Sequence, residues 1–251
     1  MGNADCVAVF DWKKSVDLSA WLEWALTCFK SADLQSDIVS CGVDAHKSKK
    51  VSIEDVRKAV GVGDSARHPR DIGLYATRPG YKQLVFGWRM TADVNTTKGR
   101  TAILAWEAGL LDSFDIAKQM AGIFGPVYGI GYQRPFAKGP ALYAYGMSAG
   151  LGYSGTDRIE MNRIGAWMRE RMAQNRHKNG MLRDIYSLNL LTQTHLDQEV
   201  ERHSLHEWIE ETQERGQLVD LGNKQWIWRL PDALIDNVRS SLRSAGLIIA
   251  E

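Results

Sequence analysis

The chain has 251 residues, 44% of them hydrophobic and 24% charged, with a formal net charge of +1. That is enough chain for one large domain whose core needs neither disulfide nor metal. A balance this close to neutral excludes a global attraction to nucleic acid or anionic membrane, and no apolar run reaches the ~18 residues of a spanning helix.

The start of the chain lacks the basic and long apolar stretches of a secretory signal. Its three cysteines, Cys6, Cys28 and Cys41, form no C-x-x-C pair. Reduced thiols in a cytoplasmic protein are the expectation. Residues 6–12 (CVAVFDW) predict a strand. Leu18, Trp21, Leu22, Ala25, Leu26 and Phe29 then fall at helical spacing, which predicts a helix over 17–31. The stretch SCGVDAHKSKK reads as a solvated loop, in which Cys41 and His46 form the one conceivable thiolate–imidazole pair. Ser52 with Asp55 caps a helix through Val60. Residues 71–77 and 82–90 predict strands flanking a Pro79-Gly80 turn, and 101–108 a third.

Asp112 or Ser113 opens a helix that ends at Phe124, and 127–133 alternates as a strand. Residues 134–155 are dense in glycine and proline and are expected to be mostly irregular. Thr156 or Asp157 caps the next helix, with Ile159, Ile164, Trp167, Met168 and Met172 among its apolar positions. The segment 181–196 is mixed and reads as helical near Leu190. Ser204 starts a short amphipathic helix closed by Gly216. Residues 217–230 predict a hairpin about Gly222-Asn223, with Trp226 and Trp228 on one face and Ile227 on the other. Pro231 opens a last helix through Leu242, and LIIA (247–250) predicts a terminal strand. Hairpins alternate with single helices and no regular βαβ unit appears. The fold class is therefore α+β: a mainly antiparallel sheet with helices on one face and a hint of ferredoxin-like halves. One continuous domain over 1–251 is expected, with a sub-boundary near 150–157 left open.

Two motifs overlap at Gly146–Gly155. Gly146-Met147-Ser148-Ala149-Gly150 is G-x-S-x-G, and Gly150-Leu151-Gly152-Tyr153-Ser154-Gly155 is G-x-G-x-x-G. A nucleophile elbow needs a strand before the serine and a helix directly after it, and AGLGYSG is a poor helix start. A dinucleotide turn needs an acidic residue ending a strand ~20 positions on, where Glu170 falls inside a predicted helix. His203 and His206 form H-x-x-H, but Ser204 between them reads as an N-cap that points the two rings apart. No Walker loop is present, and the basic run at 46–50 has no interleaved aromatics. No catalytic residue, cofactor or metal is expected. The alternative is an enzyme using Ser148 as nucleophile or depending on a nucleotide.

One block resembles type VI secretion immunity proteins and related polymorphic-toxin immunity families. It comprises a helix at 116–124, the G-x-G-aromatic element Tyr128-Gly129-Ile130-Gly131-Tyr132, and Arg183 through Leu196 with Asn189 and Thr192. The resemblance spans about 110–246 and departs at Leu190, which stands where an aromatic should follow Asn189. It implies a non-catalytic cytoplasmic α+β protein that binds and blocks a toxin or effector in bacterial conflict or defence. The expected partner is then a protein, with neither nucleic acid nor membrane, and homo-oligomerisation is left open. Arg134, Phe136, Tyr143, Tyr145 and Tyr153 are residue types enriched at binding hot spots and are expected to form the partner surface. The competing expectation is that these aromatics pack down on the sheet.

Overall fold

The computed structural model describes residues 2–12, 15–42, 49–61, 69–80, 87–97, 99–147 and 155–249. The strands are β1 (Asn3–Trp12), β2 (Ile38–Gly42), β3 (Lys49–Val51), β4 (Asp71–Thr77), β5 (Trp88–Asn95), β6 (Thr101–Glu107) and β7 (Pro126–Pro135), then β8 (Leu188–Thr192), β9 (Glu199–Val200), β10 (His203–Ser204), β11 (Gln217–Gly222) and β12 (Gln225–Arg229). The α-helices are α1 (Leu18–Ser31), α2 (Ile53–Gly61), α3 (Ser113–Phe124), α4 (Pro140–Tyr145), α5 (Gly155–Arg169), α6 (Gln193–Leu196), α7 (Leu205–Glu210) and α8 (Ile235–Ser244). Ten strands form one sheet in the order β11-β12-β8-β7-β1-β6-β5-β4-β2-β3, and every neighbouring pair is antiparallel. The α+β class with a mainly antiparallel sheet holds.

Alternation along β1 divides the core in two. Val7 and Val9 point to a front face, where they meet Trp21, Leu22 and Phe29 of α1, Val56 of α2 and Met120 of α3. Cys6, Ala8 and Phe10 point to a back face, shared with Trp167 of α5, Trp208 of α7 and Leu242 of α8. The expectation of helices on a single face is therefore corrected: helices cover both. A strand buried on both faces shows no alternation, and the run CVAVF carried that signal.

The order β7-β1-β6-β5, with α1 and α3 on the front, is that of a ferredoxin-like βαββαβ unit into which β2, β3, α2 and β4 are inserted. The second half repeats the opening of the pattern, with β12 between β8 and β11 and its helices on the back. Its fourth strand is missing, because β7 occupies that place beside β8. The predicted terminal strand accordingly reduces to a single bridge between Leu182 and Ile248. Each half keeps its helices on one side, and the halves face opposite ways.

Local signals explain the best-placed elements. Asp17 accepts from the amides of Ser19 and Ala20 at the start of α1, and Asp112 accepts from Asp115 at the start of α3. Ser52 and Asp55 cap α2 reciprocally. In the hairpin, Trp226 and Trp228 go to the back and Ile227 to the front, as the pattern predicts. The two central turn residues are Asn223 and Lys224, both left-handed, one position later than expected.

Other readings are corrected. Cys41 lies in β2, which pairs with β4, so this part of the supposed loop is sheet; His46 lies outside the described residues. Leu190 lies in strand β8, because a short apolar run can serve either structure and here the sheet has a slot for it. The strand placed at 82–90 is observed as Trp88–Asn95, with 81–86 outside the described residues.

Candidate functional site

Residues 183–196 make many of the polar contacts on the back of the molecule. Arg183 is 1% exposed. It donates to the carbonyls of Tyr143 (2.8 Å) and Ala144 (3.4 Å) at the end of α4. Its guanidinium also lies 4.1 Å from the Tyr143 ring and 5.2 Å from that of Trp167. Asp184 accepts from Arg239 of α8 at 2.6 Å. Asn189 binds both backbone groups of Tyr186, closing its own turn. His195 caps α6 with Thr192, and burial, helped by His177, pushes its imidazole down to about 4. Arg183, Asp184 and Asn189 are spent on the fold, whereas the buried Nε2 of His195 has no hydrogen-bond partner among the described residues.

The expected partner surface falls in the same region. Phe136 is fully buried, edge-on to Trp88 at 4.9 Å and covered by Arg78. Arg134 pairs with Glu160 at 2.6 Å and lies over Tyr143. The Tyr143 hydroxyl meets that of Tyr186 at 3.0 Å, and its ring packs edge-on to Tyr132. Tyr145 is half-buried, and burial with the nearby Asp93 charge pushes its phenol well up. Tyr153 lies outside the described residues. Phe136 is core, while Arg134, Tyr143 and Tyr145 are partly exposed and Arg134 and Tyr143 also make internal contacts. Among the described residues the exposed large apolar side chains are Met147, Met168 and Met172. The expectation that 134–155 is mostly irregular is also corrected, since a short 3-10 turn (Phe136–Lys138) and α4 occupy its first half.

Within the two glycine motifs, Gly146 acquires a plain explanation. Helix α4 stands where both an elbow and a dinucleotide turn require a strand. Gly146 ends that helix in a left-handed conformation (φ 78°), and its amide bonds the carbonyl of Tyr143. A Cβ there would stand 2.8 Å from the backbone nitrogen of Met168, so α4 and α5 touch through this residue. Gly146→Ala should cost about 2–4 kcal/mol, the left-handed penalty adding to the clash, measured by urea denaturation; an unchanged midpoint would refute this. Ser148, Ala149 and residues 150–154 lie outside the described residues, as does most of the sub-boundary at 150–157. Ser204 caps α7 reciprocally with Glu207, leaving His203 and His206 on different elements. Among the described residues no three His, Cys, Asp or Glu side chains cluster as metal ligands.

Sequence reading missed the polar clusters around Asp11 and Asp93. His177 Nε2 bonds Asp11 at 2.8 Å, with Lys178 on the other carboxylate oxygen. Burial raises the Asp11 carboxyl, but the His177 bond and Lys178 charge outweigh it and hold it low. On the back of β4 and β5, Asp93 accepts from Tyr75 and Thr91, both at 3.0 Å. Burial pushes its carboxyl up to about 6, against the pull of those bonds and with Asp71 adding to the rise. Each Asp93 oxygen has an internal donor, as a structural carboxylate requires.

A site open to a ligand lies on the front, towards the β11 end of the sheet. A groove of about 910 Å³ runs between the start of α3 and the strands β8 and β12. Leu111, Phe114, Leu188 and Leu230 give it apolar walls. Asp5, Asp112 and Asp232 line it with carboxylates, against a single lining cation, Arg229, whose guanidinium lies over Phe114 at 4.6 Å. Its members come from six separate stretches of chain, so no local motif marks it. A groove lined by apolar and carboxylate side chains together suits a protein or peptide surface. No known protein family, curated protein or solved structure matches the chain.

Proposed function

We propose that the chain is a non-catalytic protein-binding protein, an immunity-like inhibitor that occludes a toxin or effector in the bacterial cytoplasm. The observation that carries this reading is the groove lined by apolar and carboxylate side chains beside α3, β8 and β12. The resemblance of residues 116–132 and 183–196 to immunity families supplies the partner class. The polar groups of those segments build the scaffold, and the groove beside β8 is the surface they leave open. No helix among the described residues is long and apolar enough to cross a membrane.

The test is co-expression with the product of the gene adjacent to its own. Growth should be rescued, and the purified pair should co-elute as a stoichiometric complex. A neighbouring product that neither binds nor loses toxicity would overturn the reading.

A further inference from the structure

The exposed methionines of the back layer share one face, and a cation lies in its middle. We propose that this face, along the flank of α5, is a second docking surface that takes an acidic amphipathic helix of a partner protein. It belongs to the back layer and goes beyond the groove described above, which lies on the front.

Met161, Gly165, Met168 and Met172 recur at i, i+4, i+7 and i+11, so they form one stripe along α5 and the π turn (Glu170–Gln174) that continues it. Ile164 and Trp167 hold the buried side of the same helix. Met168 and Met172 are 45% and 48% exposed. Met147, 42% exposed, joins them because Gly146 before it lies against the backbone of Met168. Single exposed apolar side chains are ordinary, but several together on one face mark an interaction surface. Methionine suits that use, since its unbranched thioether adapts to the side chains that meet it.

The cation decides the chemistry of the occupant. A Cβ on Gly165 would stand 3.4 Å from Arg169 Nη1, so the guanidinium lies back over this glycine, between Met161 and Met168. Arg169 and Arg158 are exposed. Neither has an ion pair among the described residues, because Glu160 is taken by Arg134 and Lys138, and Glu170 by Arg176. A helix that sets apolar side chains on the methionines and a glutamate against Arg169 satisfies both. A second copy of this chain is a poor occupant, since two-fold pairing of the face would set its arginines against each other. A lipid surface is a poor one too. Helices that lie on membranes present Trp, Phe or Leu beside many basic residues, and this stripe has methionine and two unpaired arginines. Residues 148–154, which follow Met147, contain no carboxylate.

The probe is a capped, alanine-based helical peptide of about four turns, with leucines at i, i+4, i+7 and i+11 and glutamates flanking them. It is titrated against the full chain by fluorescence anisotropy and should bind saturably. Affinity should fall about tenfold or more when lysine replaces the glutamates, or when Arg169→Glu or Met172→Gln is introduced. Both substitutions fall at exposed positions and should leave the thermal melt in place. Mild peroxide should oxidise the exposed methionines ahead of the buried Met90 and Met120, and binding should be lost with them. No saturable binding, equal binding of the lysine peptide, or indifference to both substitutions would overturn the proposal. So would a dimer of the parent that Met172→Gln dissociates, or capture of the parent by phosphatidylserine vesicles in place of the peptide. The groove reading stands or falls separately, because neither substituted residue lines the groove.

Discussion

Arg183→Ala should cost about 3–5 kcal/mol, the range for a fully buried group whose charged hydrogen bonds are lost and whose site becomes a cavity. For a chain of this size that is roughly 6–20 °C of melting temperature. At the end of α4 the carbonyls of Tyr143 and Ala144 accept from the Gly146 amide and from Trp167 Nε1, and Arg183 adds a second donor to each. The guanidinium supplies donors to Tyr143 and Ala144 while stacking against Tyr143 and Trp167. No ion pair with Arg183 occurs among the described residues. Its charge is held by carbonyls and ring faces, so removing it frees no carboxylate to repel anything. Arg183→Lys should restore little, because an ammonium cannot span two carbonyls while stacking flat on a ring. Scanning calorimetry of the two variants decides the matter. An alanine variant that melts within 2 °C of the parent would show that α4 is capped by something else.

The second large effect is in the response to pH. Asp93 has its carboxyl raised from 3.8 to about 6 in the folded chain. The folded state therefore binds this proton more readily than the unfolded state, and the contribution is full at low pH and lost as pH rises through about 6. His195 has its imidazole lowered from 6.5 to about 4, so its contribution is full above 6.5 and lost as pH falls towards 4. Each is worth about 3 kcal/mol across its window, with opposite sign. The parent should hold a nearly level melting temperature from pH 6.5 to 4.5 as far as these two groups decide it. Asp93→Asn removes one arm, leaving His195 uncompensated. That variant should gain stability at pH 7 and lose roughly 6–12 °C more than the parent on acidification. Parallel pH profiles for the two proteins would sink this account.

Several elements were legible because the information is local. Helices α1 and α3 carry side-chain caps and apolar spacing within a dozen residues, and the β11–β12 hairpin carries its turn and its Trp-Ile-Trp alternation. β2 and β8 were not, since five-residue runs such as IVSCG and LNLLT take their identity from the strands beside them. The aromatics at 132–145 illustrate the same limit. Tyrosine and arginine are hot-spot residues by type, and only the position of Arg183 beneath α4 shows that the Tyr143 ring also packs inward. The groove was invisible for a stronger reason: Asp5, Leu111, Leu188 and Asp232 meet only after the two halves share one sheet.

The central position of β1 also sets the order in which the chain can fold. Residues 3–12 leave the ribosome well before their partners in the sheet, which are β6, ending at Glu107, and β7, ending at Pro135. At typical elongation rates, β1 waits roughly 6–25 s for β7 to be synthesised, with an apolar backbone that has nothing to pair with. Nothing in the front core can close without it, because Val7 and Val9 lie under the helices of that face. Non-local pairing of this kind makes refolding slow and leaves a hydrophobic segment open to chaperones in the interval.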